Sequence, residues 1–294
     1  MAETLEQANS APIAASFARA KAERRVALIP YVMAGYPDEA TSEELVVALA
    51  AAGADVIELG VPFSDPLADG ATIQHASQQA LDSGMTLARA LAVAERAAQR
   101  IRQNRQDDPH GEPIAPPLVM MGYYNPIFSY GIARFCADAA AAGVAGLIVP
   151  DLPPEEAETL RSAAADQGIE LIFLVTPTSP QERIAQVATM AGKTGGGFVY
   201  CVSISGVTGA RNRLPEELGA FIARVRATTH LPLAIGFGVS KPEHVAEIGQ
   251  VADGAVVASA IINTLDAAPA DERIAAVVAF LRSLQQGAQA THTG

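Results

Sequence analysis

Short runs of apolar and β-branched residues recur along this chain, separated by longer Ala-rich stretches whose apolar residues fall at three- and four-residue steps. The first kind reads as strand buried on both faces and the second as amphipathic helix. Their alternation is the pattern of parallel strands joined by crossover helices. Eight strands are predicted, at Val26–Met33, Val56–Val61, Leu118–Tyr123, Gly146–Val149, Leu171–Val175, Gly197–Ser203, Leu233–Phe237 and Gly254–Ser259. Helices are predicted over Glu43–Ala52, Thr86–Ala98, Ile132–Ala142, Glu155–Gln167, Glu182–Ala191, Glu216–Thr229 and Pro242–Val251, with a helix-like Ile73–Leu81 after the second strand. Eight βα units without a change of pattern close most naturally into an α/β fold of the (β/α)8 TIM-barrel type. An open doubly wound sheet uses the same unit and is the competing fold.

No Pro/Gly/Ser-rich linker divides the 294 residues, so a single barrel domain over 1–294 is expected. Residues 1–20 form an N-terminal extension or a helix capping the barrel floor around Phe17, and residues 287–294 read as a disordered tail. The polar insert Gln103–Pro117 joins a helix to the third strand. In a barrel that connection lies on the face away from the chemistry, so no site is expected there.

Composition narrows the classes. Half the residues are hydrophobic, only 5% are aromatic and Trp is absent, so Ala, Val, Leu and Ile must build the core. A net charge of −12 with no Lys/Arg run argues against nucleic-acid binding. The N-terminus lacks a basic region followed by an apolar run, and no segment reaches the roughly 18 apolar residues of a membrane span. A cytoplasmic protein that does not engage membranes is expected. Cys136 and Cys201 read as small core residues, and His75, His110, His230, His244 and His292 are scattered, so no metal site is expected. No lysine ends a strand where a Schiff base would need it; Lys193 precedes the sixth strand, on the wrong face.

Barrel enzymes carry their reactive groups at strand C-termini. The second strand is the richest, reading Ile57-Glu58-Leu59-Gly60-Val61-Pro62-Phe63-Ser64-Asp65-Pro66-Leu67-Ala68-Asp69-Gly70. Glu58 shares the inward face of that strand with Val56 and Gly60, and burial there raises a carboxyl pKa into the range useful for proton transfer. An ion pair with a buried base is the alternative, yet no basic residue interrupts the neighbouring strands. Asp65 and Asp69 lie in a loop stiffened by Pro62 and Pro66, where either could be reactive or could cap a turn or the next helix. Glycine-rich segments follow later strands: Ser205-Gly206-Val207-Thr208-Gly209-Ala210, then Gly236-Phe237-Gly238, then Ala258-Ser259-Ala260. At these barrel positions they suit the phosphate of a phosphate ester, with tight turns as the plainer reading.

The stretches LIPYVMAGYPD, IELGVPFSDPLADG, MMGYYNPIFSYG, GLIVPDLPPEE, SGVTGAR and GFGVSKPEHV occur in one order between Arg25 and Leu284. Together they resemble the tryptophan synthase α chain family. The resemblance implies a barrel that cleaves indole-3-glycerol phosphate to indole and glyceraldehyde 3-phosphate without a cofactor of its own. It puts the family's catalytic glutamate on Glu58, its catalytic aspartate on Asp69 and its active-site tyrosine on Tyr200. It puts phosphate contacts on Gly209, Gly238 and Ser259, the indole pocket on Tyr31, Met121, Tyr123 and Ile148, and Thr208 in a closing loop over Ser203–Pro215. It also implies a β-chain partner that carries pyridoxal phosphate in an α2β2 complex, docked on Pro62–Asp69 and Tyr124–Tyr130. Two positions depart from many members: Ala258 where Gly is common beside the phosphate, and Ile204 where a polar residue is common. A stand-alone lyase releasing free indole, a catalytically weak structural barrel and another sugar-phosphate barrel are the alternatives.

Overall fold

The computed structural model describes residues 12–106, 115–192, 197–202, 216–236 and 238–289. Nine strands appear among them: β1 (Ala27–Met33), β2 (Ile57–Gly60), β3 (Leu118–Met121), β4 (Val144–Ile148), β5 (Glu170–Ile172), β6 (Leu174–Val175), β7 (Val199–Val202), β8 (Leu233–Gly236) and β9 (Gly254–Val257). All pairings are parallel, in the order β5-β4-β3-β2-β1-β9-β8-β7-β6. The ninth strand is not an extra unit. The expected run Leu171–Val175 breaks at Phe173 into β5, which pairs with β4, and β6, which pairs with β7. The Tyr200 N–H donates to the Phe173 carbonyl at 3.0 Å, so the sheet closes on itself through this one interrupted strand. Closure excludes the open doubly wound sheet.

The helices are α1 (Pro12–Ala22), α2 (Glu39–Ala51), α3 (Ala71–Asp82), α4 (Leu87–Gln106), α5 (Tyr124–Tyr130), α6 (Ile132–Ala141), α7 (Glu158–Ala165), α8 (Gln181–Gly192), α9 (Glu216–Arg226), α10 (Pro242–Gly249), α11 (Ser259–Ala267) and α12 (Arg273–Gln289). The insert expected at 103–117 begins later than the sequence suggested, because α4 runs through Gln106; residues 107–114 lie outside the described set. Of the tail expected at 287–294, residues 287–289 belong to α12 and residues 290–294 lie outside the described set. Gly287 sits against the Pro242 backbone, so closely that a side chain there would collide with it, and Ala288 is buried, which extends α12 to Gln289. Among the described residues no helix is long and apolar enough to cross a membrane.

Two apolar layers hold the barrel. The larger lies between the strands and the helices, and the smaller fills the interior with Ala27, Ile29, Val56, Val119, Ile148, Ile172, Phe198, Ala234 and Val256. These interior residues occupy alternate strand positions, as the pleat requires. From below, α1 inserts Ile13 and Phe17 into the same cluster, with the Phe17 and Phe198 rings 5.4 Å apart. Interior side chains thus fill the lower and middle barrel. The next inward positions toward the strand C-termini are Tyr31, Glu58, Met121 and Tyr200, and these form the roof of the packed layers and the base of a cavity.

Candidate active site

The cavity has a volume of about 490 Å³ and is lined by Tyr31, Glu58, Asp69, Met121 and Tyr200, with Val149, Leu152 and Phe173 among its apolar wall residues. That volume suits a small organic ligand. It opens at the C-terminal ends of the strands, where the sequence placed the chemistry.

Alternation along β2 turns Leu59 outward and Glu58 inward, and pairing sets Glu58 beside Tyr31 of β1 and Val119 of β3. Two tyrosine rings can share this small roof because inward glycines vacate space for them. A Cβ on Gly60 would overlap the Tyr31 ring, and one on Gly236 would lie 2.7 Å from the Tyr200 hydroxyl. Glu58 is 1% exposed, and neither carboxyl oxygen has a hydrogen-bond partner among the described residues. Burial, reinforced by the charge of Asp69, pushes its pKa up to about 8. The ion-pair alternative is therefore not what the structure contains. Tyr31 is buried and Tyr200 half-buried, and desolvation together with the nearby carboxylates raises both hydroxyls well above their ordinary value, so they stay neutral.

Asp69 sits at the end of a turn, its N–H donating to the Pro66 carbonyl at 3.0 Å. Gly70 holds the N-cap position of α3 and no side chain caps it, so Asp69 is not the helix cap the residue pattern allowed. Its Oδ2 instead accepts from the Tyr123 hydroxyl at 3.2 Å. Burial raises the Asp69 pKa to about 6, and the Tyr123 hydrogen bond opposes that rise. Asp65 points elsewhere, accepting from the Ser64 hydroxyl at 2.6 Å.

Other expected positions divide. Met121 and Tyr31 line the cavity, whereas Tyr123 and Ile148 do not. Tyr123 stands behind Asp69 with its ring stacked on Phe63 at 4.9 Å, and Ile148, paired with Met121 across β3 and β4, is wholly buried in the interior cluster. Val149, Leu152 and Phe173 take their place in the wall. The strand-end rule pointed to the first two but not to Phe173, which marks the break in the fifth strand. Arg183, in the first turn of α8, also reaches the cavity edge, where it pairs with Glu155 at 2.6 Å; nothing in the sequence signalled it. Gly238 follows β8 with φ +41, and Ser259 opens α11 immediately after β9. β8 and β9 are neighbours, so these two positions flank each other past the barrel rim. Ala258 lines the cavity itself. Ile204, Thr208 and Gly209 lie outside the described residues. Among the described residues no group of three or more His, Cys, Asp or Glu side chains could hold a metal ion.

A closed parallel barrel with a cavity at the C-terminal ends of its strands, lined by two carboxylates, is the arrangement of enzymes of the (β/α)8 class. The particular family follows from sequence and structure comparison. The family profile described as tryptophan synthase alpha chain matches residues 17–292. The tryptophan synthase alpha chain of Chloroflexus aurantiacus is 49% identical over 92% of this chain and 96% of its own, and that of Gluconacetobacter diazotrophicus is 52% identical over 86% and 87%. A solved structure of tryptophan synthase from Mycobacterium tuberculosis, 36% identical, superposes with TM-score 0.82 over 94% of this chain and 98% of that one. The alpha chain from Legionella pneumophila, 33% identical, gives 0.81 over 96% and 99%. The chain belongs to the tryptophan synthase alpha chain family, whose reaction is the lyase cleavage of indole-3-glycerol phosphate.

Proposed function

We propose that Glu58 and Asp69 carry this cleavage in the present chain, with Glu58 moving protons and Asp69 holding the indole N–H. The observation behind it is the state of Glu58: buried beneath the cavity, without a partner among the described residues, and therefore protonated at neutral pH. A neutral carboxyl can give its proton to indole C3, which places positive charge on the ring nitrogen. Asp69, ionised above about pH 6, stabilises that charge through the N–H. The Glu58 carboxylate then takes the proton of the hydroxyl on the side-chain carbon bonded to C3. That C–C bond breaks, its electrons return to the ring, and the side-chain carbon becomes the aldehyde of glyceraldehyde 3-phosphate. Glu58 ends as it began. Tyr200 and Tyr31, held neutral, close the floor beneath the ring and keep water from Glu58.

The indole lies against the apolar wall at the ends of β3 to β5, and the phosphate lies at the opposite rim. There Gly238 offers open backbone and the start of α11 at Ser259 offers a helix N-terminus. Gly209 is assigned to the same phosphate and Thr208 to loop closure by the family pattern alone. The reaction needs no cofactor in this chain. Its partner is a tryptophan synthase β chain that carries pyridoxal phosphate, receives the indole and completes an α2β2 complex in the cytoplasm. Leu67, 93% exposed, and Phe128, 62% exposed, stand on the two segments assigned to that contact, Pro62–Asp69 and Tyr124–Tyr130. Exposed large apolar side chains of this kind suit burial by a partner.

The test is cleavage of indole-3-glycerol phosphate by purified chain, with and without a β chain, for the wild type, Glu58→Gln and Asp69→Asn. Loss in both variants supports the assignment, and undiminished cleavage by Glu58→Gln sinks it. A sharp rise on adding the β chain supports the complex; an unchanged rate favours a stand-alone lyase.

A further inference from the structure

The expected wall residue Tyr123 has a different place. It lies in the β3–α5 connection, 5% exposed, with its ring stacked on Phe63 at 4.9 Å and an interplanar angle of 27°. Its hydroxyl donates to Asp69 Oδ2 at 3.2 Å and accepts from the Ala68 N–H at 3.0 Å. One oxygen thus ties the carboxylate and the backbone just before it to a neighbouring strand end. The residue after it is fixed as well, since the Tyr124 N–H donates to Asp151 at 2.9 Å. Without that tie, little holds the loop near Asp69. Leu67 and Ala68 are exposed, and the other bonds there among the described residues are the local turns from Leu67 to Asp65 and from Asp69 to Pro66 and the amide of exposed Gln74 to the Asp69 and Pro66 carbonyls.

We infer that Tyr123 is a positioning residue for the reaction, fixing the Asp69 carboxylate and its loop in the geometry that meets the indole N–H. The inference rests on the role assigned to Asp69. Its physical content is preorganisation: a carboxylate held by a rigid, stacked phenol needs no reorientation as charge develops on the ring. Because the hydrogen bond favours the ionised carboxylate, its loss also moves the titration of Asp69 upward. Glu58 on β2, Tyr31 on β1 and Tyr200 on β7 face the same carboxylate, and Asp151 lies beside Tyr123. All are unchanged by a substitution at Tyr123.

Tyr123→Phe removes the hydroxyl and keeps the stacked ring. The expected result is a fall in kcat/KM of about tenfold, and an acid limb of the pH profile raised by about one unit, the scale of one charged hydrogen bond. A double-mutant cycle separates the causes. Affinity for an uncleavable indole-3-alkyl phosphate is measured by calorimetry in the wild type, each single variant and Tyr123→Phe/Asp69→Asn. If Tyr123 acts through Asp69, Tyr123→Phe weakens binding in the wild-type background and changes it less than twofold in the Asp69→Asn background. Equal losses in both backgrounds, or an unmoved acid limb with a raised KM, overturn the inference and leave the Asp69 assignment standing. Undiminished cleavage by Asp69→Asn overturns both. Should Tyr123→Phe fail to fold, Phe63→Leu unstacks the ring but keeps the hydroxyl; the same upward shift of the acid limb is expected, and its absence counts against the inference.

Discussion

Asp55 and Glu58 lie on the same stretch of chain, at the foot and in the body of β2, and both are buried, yet they are treated in opposite ways. At the floor, Asp55 receives Arg25 through two nitrogens at 2.6 and 2.8 Å, Arg19 at 3.1 Å and the Leu28 N–H at 2.9 Å. That carboxylate fastens α1, the segment entering β1 and β1 itself to one point. Asp253 repeats the device at the foot of β9, pairing with Arg226 and accepting the Leu233 N–H at 2.8 Å. Glu58, at the mouth, has no such partner among the described residues. A buried acid is tolerated when it is paired, and a buried unpaired acid costs stability. The floor uses its acids to hold the fold, and the mouth keeps an acid that the fold does not need. Glu170, at the start of β5, is an exception to the floor pattern: its Oε2 lacks a partner among the described residues, and burial pushes its pKa to about 8. Nothing in the structure explains it.

The contrast has a direction in pH. The Glu58 carboxyl titrates near 4.5 when unfolded and near 8 when folded. Below the unfolded value both states are protonated and burial of the acid is neutral to pH. As pH rises from 4.5 to 8 the unfolded state ionises first, so stability falls, by a few kcal/mol in order of magnitude.

The largest expected effect is on catalysis at the mouth. Glu58→Gln should lower kcat by about 10²–10⁴-fold, the range of general acid–base catalysis, while gaining stability over the wild type as pH rises from about 5 to about 8. Urea midpoints at the two pH values measure the second half. A variant that loses activity and gains nothing at the higher pH would mean Glu58 has a partner after all. Asp69→Asn should cost about 10²–10³-fold in kcat, as does loss of one preorganised charge-stabilising group. At the floor the pattern inverts. Asp55→Asn should lose about 3–5 kcal/mol of stability by stranding Arg25, with kcat/KM nearly unchanged below the melting range. A large catalytic loss there at low temperature would show that the two regions are not separate. The smallest effect is within the wild type: kcat/KM against pH should be bell-shaped, rising near pH 6 as Asp69 ionises and falling near pH 8 as Glu58 loses its proton.

The strands and the inward face of Glu58 were legible in the sequence because both follow from a period of two in an apolar run. The placement of Asp69 was not legible from residue pattern. An aspartate before a helix usually caps it, and only the fold shows Gly70 in that position and Tyr123 reaching across to the carboxylate. Ile148 and Tyr123 were misplaced for a related reason. Tyr123 lies past the end of β3, in a connection whose path the period of two does not set, and Ile148, although paired with Met121, is covered by its neighbours in the interior cluster. The helical end at 287–289 was hidden because Gly287 reads as a terminator locally, whereas contact with Pro242 decides its conformation.

The proposed mechanism rests on Glu58 being a neutral acid at physiological pH, buried without a partner among the described residues. Infrared difference spectra between the wild type and Glu58→Gln, followed from about pH 4 to about pH 10, read its carboxyl carbonyl band directly. A protonated band that persists through neutral pH and disappears near pH 8 is the expected result, and a band lost near pH 4.5 would contradict the account.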